Sequence, residues 1–230
     1  TDQSLDTPTN NFCTINPNDN YYAGATITQG ALKFQHGSTP WTFNTGTFGV
    51  SSGKWYWELT VIDAGTSGGG LQPTFGIANR PPESNAIAIG NRIYDYGYRS
   101  YQQNVISNGS EVLGSLNSFT DNDVMGVYLD LDNNKLYFSK NGTLENSTGI
   151  SITDPASTHS GFYFPAAGDN TSSAQTTWQA NFGAPLHTIS SGNADDNGYG
   201  NFEYSPNITG DSEAKKFYAL CTKNLAEFGG

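Results

Sequence analysis

The chain has 230 residues, enough for one large β domain or two small ones, and for a core that needs no metal or disulfide to hold it. Ten Lys and Arg stand against 21 Asp and Glu, a net charge of −11, which argues against a nucleic-acid phosphate backbone or an anionic membrane as partner. The 27 Gly, 13 Tyr, 13 Phe and 4 Trp, set among many Asn, Ser and Thr, suit pleated half-buried strands joined by turns and point to an all-β fold.

In chain order, residues 1–20 are rich in Pro and Asn and read as an extended arm. No basic or apolar signal region and no run of about 18 apolar residues is present, so neither a signal peptide nor membrane insertion is expected. "GATITQGALKF" reads as strand, Gln-Gly turn, strand. In "SSGKWYWELTVI", Trp55, Trp57, Leu59 and Val61 alternate with Tyr56, Glu58 and Thr60, so one set faces the core. Glu58, in mid-strand, is expected to make a structural hydrogen bond. "AGTSGGGLQP" reads as a loop, "TFGIA" as a short buried strand and "NRPPESNAIAIG" as a long loop. "NRIYDYGYRSYQ" reads as a strand with an aromatic face at Tyr94, Tyr96 and Tyr98, and "GFYFPAAG" and "TTWQANFG" as two more strands. "SEAKKFYALCTKNLAEF" fits a helix capped by Asp211 or Ser212 with Phe217, Leu220, Cys221 and Leu225 on one side; "KFYAL" also fits a strand.

"DLDNNKLYFSKNG" poses a choice between metal loop and hairpin. A calcium loop beginning at Asp130 needs Gly at its sixth position and Glu at its twelfth, and Lys135 and Asn141 stand there. A hairpin fits: Val127, Leu129 and Leu131 alternate before the turn, Leu136 and Phe138 after it, and Asn141-Gly142 is a strong second turn.

Other chemistry is equally weak. "GVSSG" matches Gly-x-Ser-x-Gly but is followed by a strand, not the helix of a nucleophile elbow. His36, His159 and His187 have no metal-ligand spacing. No metal, cofactor or catalytic residue is expected. Cys13 and Cys221 could meet across the chain ends, but two small buried thiols are the expected state.

"SSGKWYWELTV", "FGIA", "DVMGVYLDLDNNKLYFSKNG", "FYFPAAG" and "WQANFG", in that order, resemble the SPRY (B30.2-type) domain. The family's motif residues fall on Ser52, Gly53, Tyr56, Trp57 and Glu58, on Gly76 and Ala78, on Asp123, Gly126 and Asp130, on Lys140, Asn141 and Gly142, and on Asn181, Phe182 and Gly183. The resemblance implies a bent two-sheet antiparallel β-sandwich over 45–185, leading strands in 1–44 and an extension over 186–230. It also implies non-enzymatic binding through edge loops. The polar arm and the "FEYSP" to "LAEFG" tail resemble those of SPRY domains in bacteriophage structural proteins. That implies a virion protein on the particle surface or tail, a homo-oligomer, whose partners are other virion proteins or a host protein or glycan. A peptide-binding adaptor and a lectin-like module are the alternatives.

Loops are where a sandwich carries binding. Candidate contacts are Asn79 and Arg80 in the long loop, the Tyr94, Tyr96, Tyr98 and Arg99 stretch, and Gly168, Asp169 and Asn170, which fall where the family places a ligand-contacting loop.

Overall fold

The computed structural model describes residues 6–37, 42–65, 72–170, 175–209 and 215–229. Residues 66–71 of the glycine-rich loop, Thr171 and the candidate helix caps Asp211 and Ser212 lie outside them. In chain order the described strands are β1 (Thr26–Thr28), β2 (Lys33–Gln35), β3 (Phe43–Thr45), β4 (Lys54–Asp63), β5 (Pro73–Ala78), β6 (Tyr96–Arg99), β7 (Asn104–Ser107) and β8 (Ser110–Leu113). There follow β9 (Val124–Asp130), β10 (Lys135–Lys140), β11 (Thr143–Leu144), β12 (Ile150–Ser151), β13 (Phe164–Asp169), β14 (Thr177–Asn181) and β15 (Tyr218–Ala219). One α-helix, α1 (Thr222–Phe228), closes the described chain.

Two sheets, antiparallel except where β15 joins β4, face each other as a sandwich. The larger runs β1-β2-β14-β4-β9-β10-β11, with β12 on β10 and β15 on β4; the smaller runs β3-β13-β5-β6-β7-β8. Alternation decides what each strand buries. Trp55, Trp57, Leu59 and Val61 of β4 enter the core between the sheets with Val127, Leu129, Phe138 and Trp178. Phe75 of β5 supplies the centre, its ring 5.2–5.9 Å from those of Tyr98, Phe119, Phe138 and Trp178. The Trp178 indole donates to the Gly168 carbonyl at 3.0 Å, so its one polar atom is satisfied across the core.

The hairpin reading of residues 130–142 is borne out. β9 and β10 pair with Asp130 opposite Lys135, and Asn134 takes φ +52° in the turn. Asn141 (φ +48°) and Gly142 (φ +77°) turn β10 into β11. The Asp130 carboxylate is buried and occupied, accepting from the backbone and side chain of Asn133 and lying 3.4 Å from the Lys54 ammonium. Among the described residues no three His, Cys, Asp or Glu side chains cluster as a metal site.

The outer face of the larger sheet is buried too. Tyr56, Tyr128 and Tyr137 project there and pack against Phe202, Ile208 and Phe217 of the C-terminal extension. Glu58 projects with them and is 1 % exposed. Its Oε1 accepts from the Tyr56 hydroxyl at 2.9 Å and the Tyr204 amide at 2.7 Å. Its Oε2 accepts from the Asn181 side chain and the Glu203 amide, both at 3.0 Å. The expected structural hydrogen bond is thus four bonds, and two come from the extension. A second buried carboxylate, Asp195, accepts from the Ala219 amide at 2.9 Å and the Asn224 side chain at 2.7 Å, fastening the extension to itself.

The helix expected from residue 212 onward is shorter and later. β14 ends opposite Glu58, which leaves the start of β4 unpaired on that side. β15 fills the gap in parallel, Tyr218 opposite Trp55 and Ala219 opposite Tyr56, so the strand reading of "KFYAL" prevails. An open backbone edge beside a buried tryptophan outweighs helical periodicity. The helix then begins after Cys221, which gives no side-chain cap.

Cys13 and Cys221 are free and buried, as expected. The Cys13 amide donates to the Leu220 carbonyl at 2.9 Å, so the chain ends do meet. Burial pushes the Cys13 thiol up to about 11. Intact mass is therefore expected to be the same with and without reductant, with alkylation only after unfolding; a gain of two hydrogens on reduction would reveal a disulfide.

Desolvation pushes the Glu58 carboxyl from its ordinary 4.5 up to about 7, outweighing its four donors. A raised acid pKa means the native state holds its proton longer than the unfolded chain. The Glu58 contribution is full below pH about 4.5 and is lost as pH rises through about 7. The stability difference between wild type and Glu58→Gln, followed by denaturant unfolding from pH 4.5 to 8, is expected to shrink by about 3 kcal/mol as pH rises. A difference that grows instead would show that the carboxylate is ionised throughout.

Candidate functional site

The strand register sorts the candidate contacts into two separate groups. Ala78, at the end of β5, lies opposite Phe164 of β13, and its neighbour Ile77 lies opposite Tyr96. Pro73, at the start of β5, lies opposite Asp169, and Thr74 lies opposite Arg99. Asn79, Arg80 and Tyr94 therefore stand at one end of the smaller sheet, and Arg99, Gly168, Asp169 and Asn170 at the other, about 17 Å away along the strand. They do not form one site.

Between the two ends, Tyr96 and Tyr98 belong to the core. They are 6 % and 0 % exposed, and the Tyr98 hydroxyl donates to the Asn117 carbonyl. Tyr94 has left the strand, with φ at +73°. The predicted aromatic face thus breaks up: one alternating set of β6 points between the sheets, where Phe75 and Phe138 wait for it.

At the Asp169 end the candidates are mostly enclosed. Gly168 and Asp169 are buried, and a Cβ on Gly168 would meet the Thr42 carbonyl at 2.1 Å. The Asn170 amide donates to Gln72 at 2.9 Å. Arg99 donates to Asn104 at 3.0 Å, and Asn104 to Glu111 at 2.7 Å, a polar ladder across β6, β7 and β8. Gly168 and Asp169 are scaffold by their burial; Arg99 and Asn170 keep partial exposure.

At the opposite end, residues 79–95 fold back over the outer face of the smaller sheet. Glycines allow the approach: a Cβ on Gly97 would sit 2.3 Å from the Ile89 carbonyl, so bare backbone is required there. Ile89 packs with Phe43, Ala78 and Ala166 beneath the loop. Arg92 is the hub. Its guanidinium donates to the carbonyls of Arg80 at 2.6 Å and Pro81 at 2.9 Å, and to Asp95 at 2.7 Å. It also bridges to Glu83 and lies 5.4 Å over the Phe43 ring. Asp95, wholly buried, accepts from the Asn79 amide as well; burial raises its pKa while Arg92 opposes the rise.

This clamp decides what is displayed. Asn79 is buried and donates to Ser160 at 3.1 Å, while the Ser160 hydroxyl donates back to the Asn79 carbonyl, joining the 158–163 loop to the first. Arg80 keeps 43 % of its side chain exposed beside Glu83 at 3.0 Å. Tyr94 sets its ring edge-on to His159 at 5.3 Å. Ile93 and Phe162 are 45 % and 43 % exposed. An arginine, a tyrosine, a histidine and two large apolar side chains are therefore presented by two cross-linked loops. His159, Ile93 and Phe162 were missed from sequence; the only signal was a large apolar residue inside the polar stretch "STHSGF".

Removing the clamp leaves Asp95 buried without its cation. Arg92→Ala is expected to cost about 3 kcal/mol in denaturant unfolding and to speed amide exchange across 79–95. Unchanged exchange in that loop would show that Phe43 and Ile89 packing holds it alone.

Residues 54–184 match a family model described as the SPRY domain. The SPRY domain of human HERC1 is 18 % identical, with a TM-score of 0.51 over 80 % of this chain and 98 % of that one. A second human SPRY domain is 13 % identical, with a TM-score of 0.47 over 68 % and 93 %. No curated protein sequence matches the chain.

Proposed function

This chain belongs to the SPRY domain family, and we propose that it works without catalysis, as a protein-binding module whose contact surface is the Arg80–Tyr94–His159–Phe162 end of the smaller sheet. The family is one of protein-interaction folds. One observation carries the placement: Arg92 and Ser160 cross-link two loops so that large apolar, aromatic and cationic side chains stay exposed on rigid backbone. Holding such groups in place before binding lowers the ordering cost of association, and Tyr and Arg are the side chains that dominate interface energy. The narrower form of the proposal is an exposed fibre or decoration element of a bacteriophage virion, binding another virion protein or a host surface protein. It is supported by the resemblance of the polar N-terminal arm and the C-terminal tail to those of phage structural proteins. Homo-oligomerisation would add avidity to a modest single site.

The test compares two surface variants of the full chain. Arg80→Ala/Tyr94→Ala/Phe162→Ala is expected to weaken binding to its virion or host protein partner by 100-fold or more, measured by surface plasmon resonance against purified particle proteins and host envelope proteins. Arg99→Ala/Asn170→Ala, at the opposite end, is expected to leave binding unchanged. The reverse pattern would move the site to the Asp169 end. Binding of a short unstructured peptide alone would favour an adaptor.

A further inference from the structure

A second exposed surface lies on the N-terminal arm, whose Asp19 carboxylate is within electrostatic reach of Arg92. Asn20 builds it. Its side-chain amide donates to the Ala25 carbonyl at 2.7 Å and accepts from the Ala25 amide at 2.8 Å, closing residues 20–25 into a loop. The Gly24 amide donates to the Asn20 carbonyl at 2.9 Å inside it. Asn44 of β3, wholly buried, donates to the Asn20 side chain at 3.1 Å and to the Asp19 carbonyl at 3.2 Å, fastening the loop to the sandwich.

At the tip of this braced loop stand Tyr21, 89 % exposed, and Tyr22, 38 % exposed. Their ring centroids are 4.9 Å apart and their planes meet at 83°, so one ring offers a face and the other a side wall. Among the described residues it is the one tyrosine pair with both rings exposed; Tyr56–Tyr128 and Tyr96–Tyr163 are buried. The chain neighbours are polar: Asn18 is exposed, and Asp19, half-buried, accepts from the Thr45 amide and hydroxyl at Oδ2 while Oδ1 accepts no hydrogen bond among the described residues.

We propose that the Tyr21–Tyr22 tip is a saccharide-binding site that stacks the apolar face of a pyranose on an exposed tyrosine ring. The choice of ligand follows from the surroundings. A sugar presents both a C–H face for the ring and hydroxyl donors for the Asp19 and Asn18 oxygens. Sugars carry no requirement for cations, which suits a chain of net charge −11. The aromatic face expected at Tyr94, Tyr96 and Tyr98 is buried at Tyr96 and Tyr98, whereas Tyr21 and Tyr22 leave theirs open.

The experiment applies the full chain to a glycan array and titrates the best oligosaccharide by calorimetry. Tyr21→Ser/Tyr22→Ser is expected to weaken binding at least 10-fold, and Tyr21→Ser alone to weaken it with an unchanged melting temperature, because Tyr21 is 89 % exposed. Tyr21→Trp is expected to restore or tighten it. Arg80→Ala/Tyr94→Ala/Phe162→Ala is expected to leave saccharide binding intact, which separates this site from the protein-binding end. No saccharide bound by wild type, binding retained in the double tyrosine variant, or a tyrosine effect on self-association alone in sedimentation would each overturn the assignment.

Discussion

The Glu58 carboxyl group is the point on which the architecture turns. A carboxyl group buried on a sheet face must find donors, or its desolvation unfolds the strand that carries it. Tyr56 and Asn181 supply two from within the sheet, and the backbone of residues 203 and 204 supplies the other two. The extension is therefore part of the domain and not an appendage. Its arrival buries Tyr56, Tyr128 and Tyr137, and its later segment completes the unpaired start of β4 as β15.

The smaller sheet solves the same problem with a cation. Its outer face is bare where Gly76, Gly97 and Gly168 sit, and the 79–95 loop lies down on part of it. Arg92 satisfies two carbonyls that the loop would otherwise strand and neutralises Asp95 beneath it. Binding loops need such support, because a contact made by backbone that must first be ordered gives up part of its energy to entropy. The arm repeats the device with a neutral amide, Asn20, in place of the guanidinium.

These three braces leave exposed side chains in two chemically distinct sets. One is cationic, aromatic and apolar, around Arg80 and Phe162; the other is aromatic and amide-rich, at Tyr21 and Tyr22. A sandwich with a fully packed interior can present both, since neither set enters the core.

What the sequence determined by itself was local and periodic. Alternation through Trp55, Trp57, Leu59 and Val61 identified the central strand and its buried face, and Asn141-Gly142 identified a turn whose positive φ values few other residues tolerate. The mid-strand Glu58 reads as either solvent-facing or hydrogen-bonded, and the hydrogen-bonded reading is favoured because a carboxyl group beside a tryptophan in a core strand needs donors if it is buried. Only the tertiary structure decided which side chains remain in water. Tyr94, Tyr96 and Tyr98 alternate in sequence, yet one turned away at positive φ and two went inside, because exposure depends on the opposite sheet. Asn79 and Asn170 look alike as loop residues, and strand register put them at opposite ends. Arg92 reaches Phe43, and Asn20 reaches Asn44, across sequence separations that no local period can encode.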